Sequence, residues 1–184
     1  MSPTLTLSVR LTLIVVAAFL HGCNSFHPGE RLYSDALPPP TQGPLVDATQ
    51  AALGDRRQDN QSGFYLLHDG LSAFIARVSL IETARASLDL QYYIFSNDTT
   101  GQIIISRLLE AADRGVRVRV LVDDLGTRVD NPLVATLHDH PNIQIRLFNP
   151  VKARGGPLRL LEMAVTFGRT NHRMHNKLML ADSL

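Results

Sequence analysis

The sequence predicts an α/β fold, with helices packed on a mostly parallel sheet. Short apolar segments rich in β-branched and aromatic residues, which are typical of strands, alternate with longer segments whose apolar residues recur at helical spacing. Strands that alternate with helices of about ten residues or more indicate a layered α/β domain. The chain of 184 residues is 45% hydrophobic and 19% charged, which suits one globular domain with a real core.

The first 23 residues resemble a signal peptide. Arg10 precedes an apolar run from residue 11 to 20, about half the length that spans a bilayer. Leu20-His21-Gly22-Cys23 follows and resembles a bacterial lipobox, although His21 stands where a small or aliphatic residue is usual. Cys23 is the single cysteine of the chain. We therefore expect cleavage before Cys23, lipid attachment at that residue, and a membrane-attached lipoprotein on the periplasmic side of a bacterial envelope.

Residues 24–62 predict a flexible tether. They contain Pro38-Pro39-Pro40, Pro44 and the polar stretch 55–62, and they offer little that could form an apolar face. The pattern changes near residue 63, so the folded domain is predicted over residues 63–184.

The elements of this domain follow from periodicity and from turn residues. Helices are predicted where apolar residues recur at helical spacing, over Gly70–Arg85, Gln102–Arg114, Pro132–His138 and Pro157–Phe167. Strands are predicted over Ser87–Phe95, Val116–Val122, Ile143–Phe148 and from Met174 to Asp182. The turn at residues 97–101 can cap the helix after it, and Gly115 ends that helix.

One cassette carries the chemistry, H-N-K-L-M-L-A-D over residues 175–182. In a strand, residues two apart share a face, so His175 and Lys177 are predicted to point the same way, with Leu178 and Leu180 packed into the core on the other face. A lysine supplies charge and donors to phosphate oxygens, and an imidazole can attack phosphorus or move a proton near neutral pH. Asp182 has the opposite parity, and it could orient an imidazole from the turn after the strand.

Other polar groups have two interpretations each. Asp123 and Asp124 end a strand, where they could form a metal or acid–base pair or could cap the following turn. Tyr92 and Tyr93 alternate faces, so at most one of them can reach a site, and we prefer the interpretation of both as ordinary strand aromatics. His138 with His140 and His172 with His175 could be zinc ligands, but no cysteine or His-Glu-x-x-His pattern supports a zinc site. Arg117 and Arg119 share a strand face, where they could bind a phosphate or simply be solvated, and we prefer the second.

The cassette resembles the HKD motif of the phospholipase D superfamily. Further segments are similar to its bacterial cardiolipin synthase branch: S-L-D-L-Q-Y-Y-I-F (87–95), D-x-x-G (98–101), residues 108–124, R-L-F-N-P (146–150) and R-M-H-N-K (173–177). The resemblance implies phosphodiester chemistry without a metal or other cofactor, through a phosphohistidine intermediate. It implies His175 as the nucleophile, and water or the glycerol hydroxyl of a second phospholipid as the acceptor.

The resemblance also implies a second cassette, because family members join two of them in one site. This sequence has one, and it also lacks the glycine-asparagine segment usual after the first, so it is predicted to be a first half-domain that ends after the motif. The second half-site would come from a C-terminal half or from a homodimer partner. We expect a phosphatidylglycerol-like phospholipid substrate and a membrane surface as partners, and no nucleic acid, since the net charge is only +1. The alternatives are an inactive truncated lipoprotein, and a superfamily nuclease or phosphodiesterase completed by dimerisation.

Overall fold

The computed structural model describes residues 33–54, 62–128, 137–151 and 156–184. The predicted signal peptide, with Cys23, lies outside these residues, as does most of the helix predicted over 132–138. The helices are α1 (Pro44–Leu53), α2 (Gly70–Thr83), α3 (Thr99–Asp113), α4 (Gly156–Val165) and α5 (Phe167–Thr170). The strands are β1 (Ser87–Tyr92), β2 (Phe95–Ser96), β3 (Arg117–Asp123), β4 (Thr127–Arg128), β5 (Ile143–Phe148) and β6 (Lys177–Ala181).

Four strands form the main sheet, in the order β5-β3-β1-β6. β1 pairs in parallel with β3, and β3 pairs in parallel with β5. β6 runs antiparallel to β1, with Leu88 opposite Ala181 and Tyr92 opposite Lys177. The predicted fold class, helices on a mostly parallel sheet, is confirmed. Because β1, β3 and β5 are parallel, their carboxyl ends meet at one edge of the sheet, and β6 begins there.

Helices α2 and α3 cover one face of the sheet and form the core with it. Each helix begins at an aspartate that caps it: the carboxylate of Asp69 accepts from the amide of Ser72 at 2.9 Å, and that of Asp98 from the amide of Gly101 at 2.8 Å. The core consists of the apolar residues that these helices and the alternate strand positions bury: Ile81, Ala84, Leu88, Leu90, Ile104, Ile105, Leu108, Ala111, Ala112, Val116, Val118, Val120, Val122, Leu137, Ile143 and Ala181.

The side-chain parity of β6 is the reverse of the prediction. Leu178 and Leu180, which were expected in the core, are 41% and 42% exposed, whereas Met179 packs against the core and Ala181 is buried. The reason is register: Met179 and Ala181 lie opposite Leu90 and Leu88, which face the helices. The two leucines lie on the other face of the sheet, where α2 and α3 do not pack.

The segment predicted as a flexible tether contains a helix. α1 begins with Pro44, a residue that fits the first turn of a helix, and it buries Val46. Leu45 packs against the core of the domain. The prediction of an extended segment was therefore wrong for Pro44–Leu53, because two apolar residues in its first turn are enough to attach the helix.

A two-stranded parallel ribbon, β2 with β4, lies beyond the main sheet. It needs a close approach of backbone to backbone, since a Cβ at Gly126 would lie 1.8 Å from the carbonyl oxygen of Tyr93. The single strand predicted over Ser87–Phe95 is therefore two, with a break after Tyr92. Among the helices of the described residues, none has both the length and the apolar character to cross a bilayer.

Candidate active site

His175 and Lys177 lie at the edge of the sheet where β1 ends. Lys177 is the first residue of β6 and stands opposite Tyr92, and both His175 and Lys177 are exposed. β6 does not begin at Met174 as predicted, so the strand rule for two residues on one face does not cover His175. Instead the residue between them, Asn176, is fixed to the end of β1: its carbonyl accepts from the amide of Tyr93 at 3.0 Å, and its side chain donates to Gln91 at 2.9 Å.

The two tyrosines after β1 have different environments. The ring of Tyr93 lies 4.8 Å from the ring of His175, centroid to centroid, at 53°. Tyr92 packs edge-on against Phe95 at 5.8 Å, and burial raises the pKa of its phenol. As predicted, only one of the pair reaches the site. The preferred interpretation of both as ordinary strand aromatics is therefore wrong for Tyr93, whose ring lies beside His175.

A buried carboxylate anchors the chain directly before His175. Asp123, at the end of β3, has no exposed surface, and it accepts from the guanidinium of Arg173 at 2.9 Å and from the amide of Met174 at 3.3 Å. The same side chain accepts from the amide of Leu125 at 2.9 Å, which is the turn-capping role predicted for it. One carboxylate thus joins the end of β3 and the turn after it to Arg173 and Met174, and His175 is the next residue.

The approach to Arg173 is fixed as well. Asn149, whose φ is 48°, donates through its side chain to the carbonyls of Arg169 at 2.9 Å and His172 at 2.6 Å. Arg173 donates through Nε to the carbonyl of Thr170 at 2.5 Å, so its guanidinium joins the end of α5 to Asp123. The neighbouring carboxylate, that of Asp124, accepts from the amide of Val151 at 2.9 Å.

Asp182 does not orient His175. Its carboxylate is buried and accepts from the amides of Arg85 at 3.0 Å, Ala86 at 2.7 Å and Ser87 at 3.0 Å, where α2 passes into β1. The five residues of β6 separate this position from the His175 end by roughly 15 Å, at about 3.3 Å per residue. The predicted orienting role is wrong, since an antiparallel strand carries its first and last residues to opposite edges of the sheet.

The two histidine pairs lie in separate surroundings. In the described part of the chain no group of three or more His, Cys, Asp or Glu side chains is placed to hold a metal ion. A ring nitrogen of His172 lies 2.6 Å from the carbonyl of Gly168, and His140 lies 3.2 Å from the carboxylate of Asp113.

The two arginines of β3 have different surroundings, although they share a face. Arg119 binds Asp89 with two nitrogens, at 2.5 and 2.6 Å. Arg117 has two buried nitrogens, Nε and Nη2, with no hydrogen-bond partner. The preferred interpretation of both as solvated cations is therefore wrong: Arg119 is bound across the sheet to a β1 carboxylate, and two of the guanidinium nitrogens of Arg117 are buried.

The main feature that sequence reasoning missed is the Arg173–Asp123 pair. Arg173 stood in the R-M-H-N-K segment without a role, and its partner lies fifty residues earlier. No local pattern connects the two positions. The one available signal was the position of Asp123 at the end of β3, beside β5, from which the chain continues to the cassette. Using that signal required knowledge of the strand order.

Comparison with known proteins gives the family. The family model described as "Cardiolipin synthase, PLD-like domain" matches residues 78–183, which include the whole cassette and the strands β1, β3, β5 and β6. That match covers more than half of the chain. The chain therefore belongs to the phospholipase D-like family, in its cardiolipin synthase-like group.

Relatives agree with this assignment. Cardiolipin synthase C of Escherichia coli K12 is 45% identical over 124 residues, which are 67% of this chain and 26% of that protein. An uncharacterised protein of Helicobacter pylori J99 is 38% identical over 180 residues, 95% of this chain and 35% of that protein. The chain thus spans about a quarter to a third of the length of these relatives.

Solved structures with a similar arrangement were also found. NucT from Helicobacter pylori is 21% identical, with a TM-score of 0.43, over 64% of this chain and 65% of its own. A phospholipase D family member, Nuc from Salmonella typhimurium, is 20% identical, with a TM-score of 0.37, over 60% of this chain and 57% of its own.

Proposed function

We propose that this chain carries a half-site for transfer or hydrolysis of a phospholipid phosphodiester, with His175 as the nucleophile. The observation that carries the proposal is the open edge of the sheet where His175 and Lys177 are both exposed, while the residues before them are anchored by the buried Asp123. An accessible imidazole on a fixed backbone, with an ammonium two residues away, suits attack on a tetrahedral phosphate.

The reaction proceeds in two displacements. An imidazole nitrogen of His175 attacks phosphorus, the bond to the head-group oxygen breaks, and the leaving alkoxide takes a proton from a general acid. Lys177 stabilises the negative charge on the non-bridging oxygens during this step. Water or the hydroxyl of a second lipid then loses a proton to that same group and attacks phosphorus, which releases His175. The products are phosphatidic acid with water, or a new phosphodiester with an alcohol.

The general acid of this step is not Asp123, Asp124 or Asp182. Asp182 is committed to backbone amides at the far edge of the sheet, and Asp123 and Asp124 are buried with partners of their own. We propose that a second histidine comes from a second half-site, either a further part of a longer protein or another copy of this chain. For the homodimer, mixing His175→Ala chains with wild-type chains should give activity that depends on their ratio, and dilution should reduce the activity per molecule.

Product formation tests the proposal. The chain is incubated with phosphatidylglycerol vesicles, and cardiolipin and phosphatidic acid are measured by mass spectrometry. His175→Ala should reduce either product by at least about a thousand-fold, because a covalent nucleophile is lost. The matched control is His172→Ala, an exposed histidine three residues away, which should leave the rate within about two-fold. Loss of activity in both variants, or in neither, would contradict the assignment.

The nuclease alternative is an outcome of the same design. Supercoiled and single-stranded DNA replace the vesicles as substrates, and salt is varied. Cleavage that requires His175, weakens steeply with salt and occurs without any lipid turnover would replace the phospholipid proposal.

We propose also that Cys23 carries the lipid of a membrane-attached lipoprotein. The support is the apolar run and the lipobox-like residues before it. Growth of a bacterial expression host with an alkyne-tagged fatty acid should label the wild-type chain and leave Cys23→Ala unlabelled. Label that persists in Cys23→Ala, or no label on the wild type, would end this proposal. Since Cys23 is the single cysteine, no other thiol can confuse the result.

A further inference from the structure

The helix α4, which precedes the candidate site, exposes its apolar side chains and partly buries its charged ones. In α4 the apolar side chains point outward: Leu158, Leu161 and Val165, at helical spacing, are 69%, 53% and 68% exposed. Its charged residues, Arg159 and Glu162, are half-buried instead. α4 buries no residue fully, although it has one apolar face, so that face stays more than half exposed in the described part of the chain.

The apolar surface continues toward the site. Phe167, in α5, is 65% exposed, and Leu160 is 70% exposed. α5 ends at Thr170, which is buried. The guanidinium of Arg173 donates both to the carbonyl of Thr170 and to the carboxylate of Asp123. The outward face consists of Leu158, Leu160, Leu161, Val165 and Phe167, and hydrogen bonds of Arg173 join the end of α5 to the segment that leads to His175.

The charge of this stretch differs from the rest of the chain. Residues 156–178 hold four Lys or Arg and one Glu, a net +3, of which the charge of Arg173 is balanced by Asp123 outside the stretch and +2 remains. The remaining residues hold fourteen Lys or Arg and sixteen Asp or Glu, a net −2, and the two parts give the chain its +1. An exposed apolar helix face in a locally basic stretch is the pattern of a helix that lies in the interface of an anionic bilayer.

We propose that the outward face of α4 and α5 lies in the surface of an anionic phospholipid bilayer and holds the His175 edge of the sheet against the head groups. This proposal rests on the proposed function in one respect, that the substrate is a phospholipid. Nucleic acid would match the charge but leaves the five outward apolar side chains unexplained. A second copy of the chain would match the apolar face but gains nothing from the local basic charge.

The chain offers a clean reporter, since it contains no tryptophan. Leu161→Trp places one on the outward face, and Ile75→Trp places one on α2 at matched exposure, 53% against 54%. Both variants are made with the same N-terminal segment, so any attachment through Cys23 is equal in the two. Each is mixed with vesicles of phosphatidylglycerol and phosphatidylcholine in equal parts, and with vesicles whose acyl chains are brominated.

The expected result is a shift of the residue-161 tryptophan emission to shorter wavelength on anionic vesicles, with quenching by brominated lipid at least three-fold stronger than for residue 75. Pure phosphatidylcholine should give a smaller effect. Equal quenching at both positions, or none at residue 161, would overturn the proposal. A shift that depends on protein concentration and needs no vesicles would overturn it in favour of contact between copies.

The test of bilayer contact can be distinguished from the test of the proposed reaction. The same measurement on Leu161→Trp combined with His175→Ala requires no turnover, and quenching should be unchanged there. Quenching without any activity in the wild type would leave the surface intact and remove the proposed reaction. Activity without quenching would leave the proposed reaction intact and remove the proposed contact of α4 and α5 with the bilayer.

Discussion

The two ends of β6 differ in everything except their place in one sequence motif. At the first end, His175 and Lys177 are exposed, and the buried carboxylate of Asp123 accepts from the amide of Met174, the residue before His175. At the last end, Asp182 is buried, and its carboxylate accepts from three successive amides. The difference teaches that the three residues of the cassette need not share one task. We assign chemistry to the first end and structure to the last.

The largest expected effect on stability is at the buried end. Asp182→Ala should lower the free energy of unfolding by about 3 kcal/mol, because amides at the start of β1 lose their acceptor and each such loss costs ~1–3 kcal/mol. Lys177→Ala, at the exposed end, should change it by less than about 0.5 kcal/mol. Urea unfolding followed by circular dichroism measures both. Equal destabilisation by the two variants would contradict the division of tasks.

The anchor behind His175 gives the next effect. Arg173→Gln should lower the free energy of unfolding by about 2 kcal/mol, because Asp123 loses its ion pair but keeps its backbone donors. If Arg173 only stabilised the fold, His175 would keep its place against Tyr93. We expect instead that the imidazole proton resonances of His175 lose the ring-current shift from Tyr93 in NMR spectra. Unchanged resonances in a folded variant would show that the pair does not position the histidine.

The close approach of the β3–β4 turn to Tyr93 should have a smaller effect. Gly126→Ala places a methyl group against the carbonyl oxygen of Tyr93, and we expect a loss of about 1–2 kcal/mol as the backbone yields. Gly168→Ala, where a Cβ would meet nothing within 4 Å, is the matched control and should not destabilise the chain. Thermal unfolding of both variants compares them. Tolerance of alanine at residue 126 would mean that this approach does not matter.

The smallest effect concerns a helix cap at the surface. Hydrogen bonds from the hydroxyl of Thr100 and the amide of Gly101 hold the pKa of Asp98 below its ordinary value of 3.8. Because the folded pKa is the lower one, the stabilisation is present above pH 3.8 and is lost as the pH falls through the folded value. The gap in stability between the wild type and Asp98→Asn should therefore narrow below pH 3.8. A constant gap would show that charge on Asp98 is irrelevant.

Local patterns were enough to predict most elements. The strand Ile143–Phe148 has the predicted bounds, and the helix predicted over Gln102–Arg114 spans Thr99–Asp113, begun by Asp98 within the predicted capping turn. Hydrophobic alternation and cap residues are local signals, so they can be read without a partner. The parity of Leu178 and Leu180 could not be, because both faces of β6 carry apolar residues and only strand register decides which one meets the helices.

The site shows the same limit. The cassette identified His175 and Lys177, since their residue types and spacing carry the signal. The bonds of Asp182 to residues 85–87 and of Asp123 to Arg173 join positions at least fifty residues apart, and nothing local announces them. Residue types alone therefore suggested that Asp182 orients an imidazole, whereas the sheet places it at the opposite edge.

Mapping the covalent intermediate tests the central claim most directly. The wild type, His175→Ala and Asp182→Asn are denatured briefly after mixing with a short-chain phosphatidylglycerol, in alkaline detergent because the phosphorus–nitrogen bond of a phosphohistidine hydrolyses in acid, and the modified peptide is identified by mass spectrometry. The account predicts a phosphatidyl group on His175 in the wild type and in Asp182→Asn at a temperature where it remains folded, and none in His175→Ala. An adduct that persists in His175→Ala, or one that disappears from folded Asp182→Asn, would contradict it.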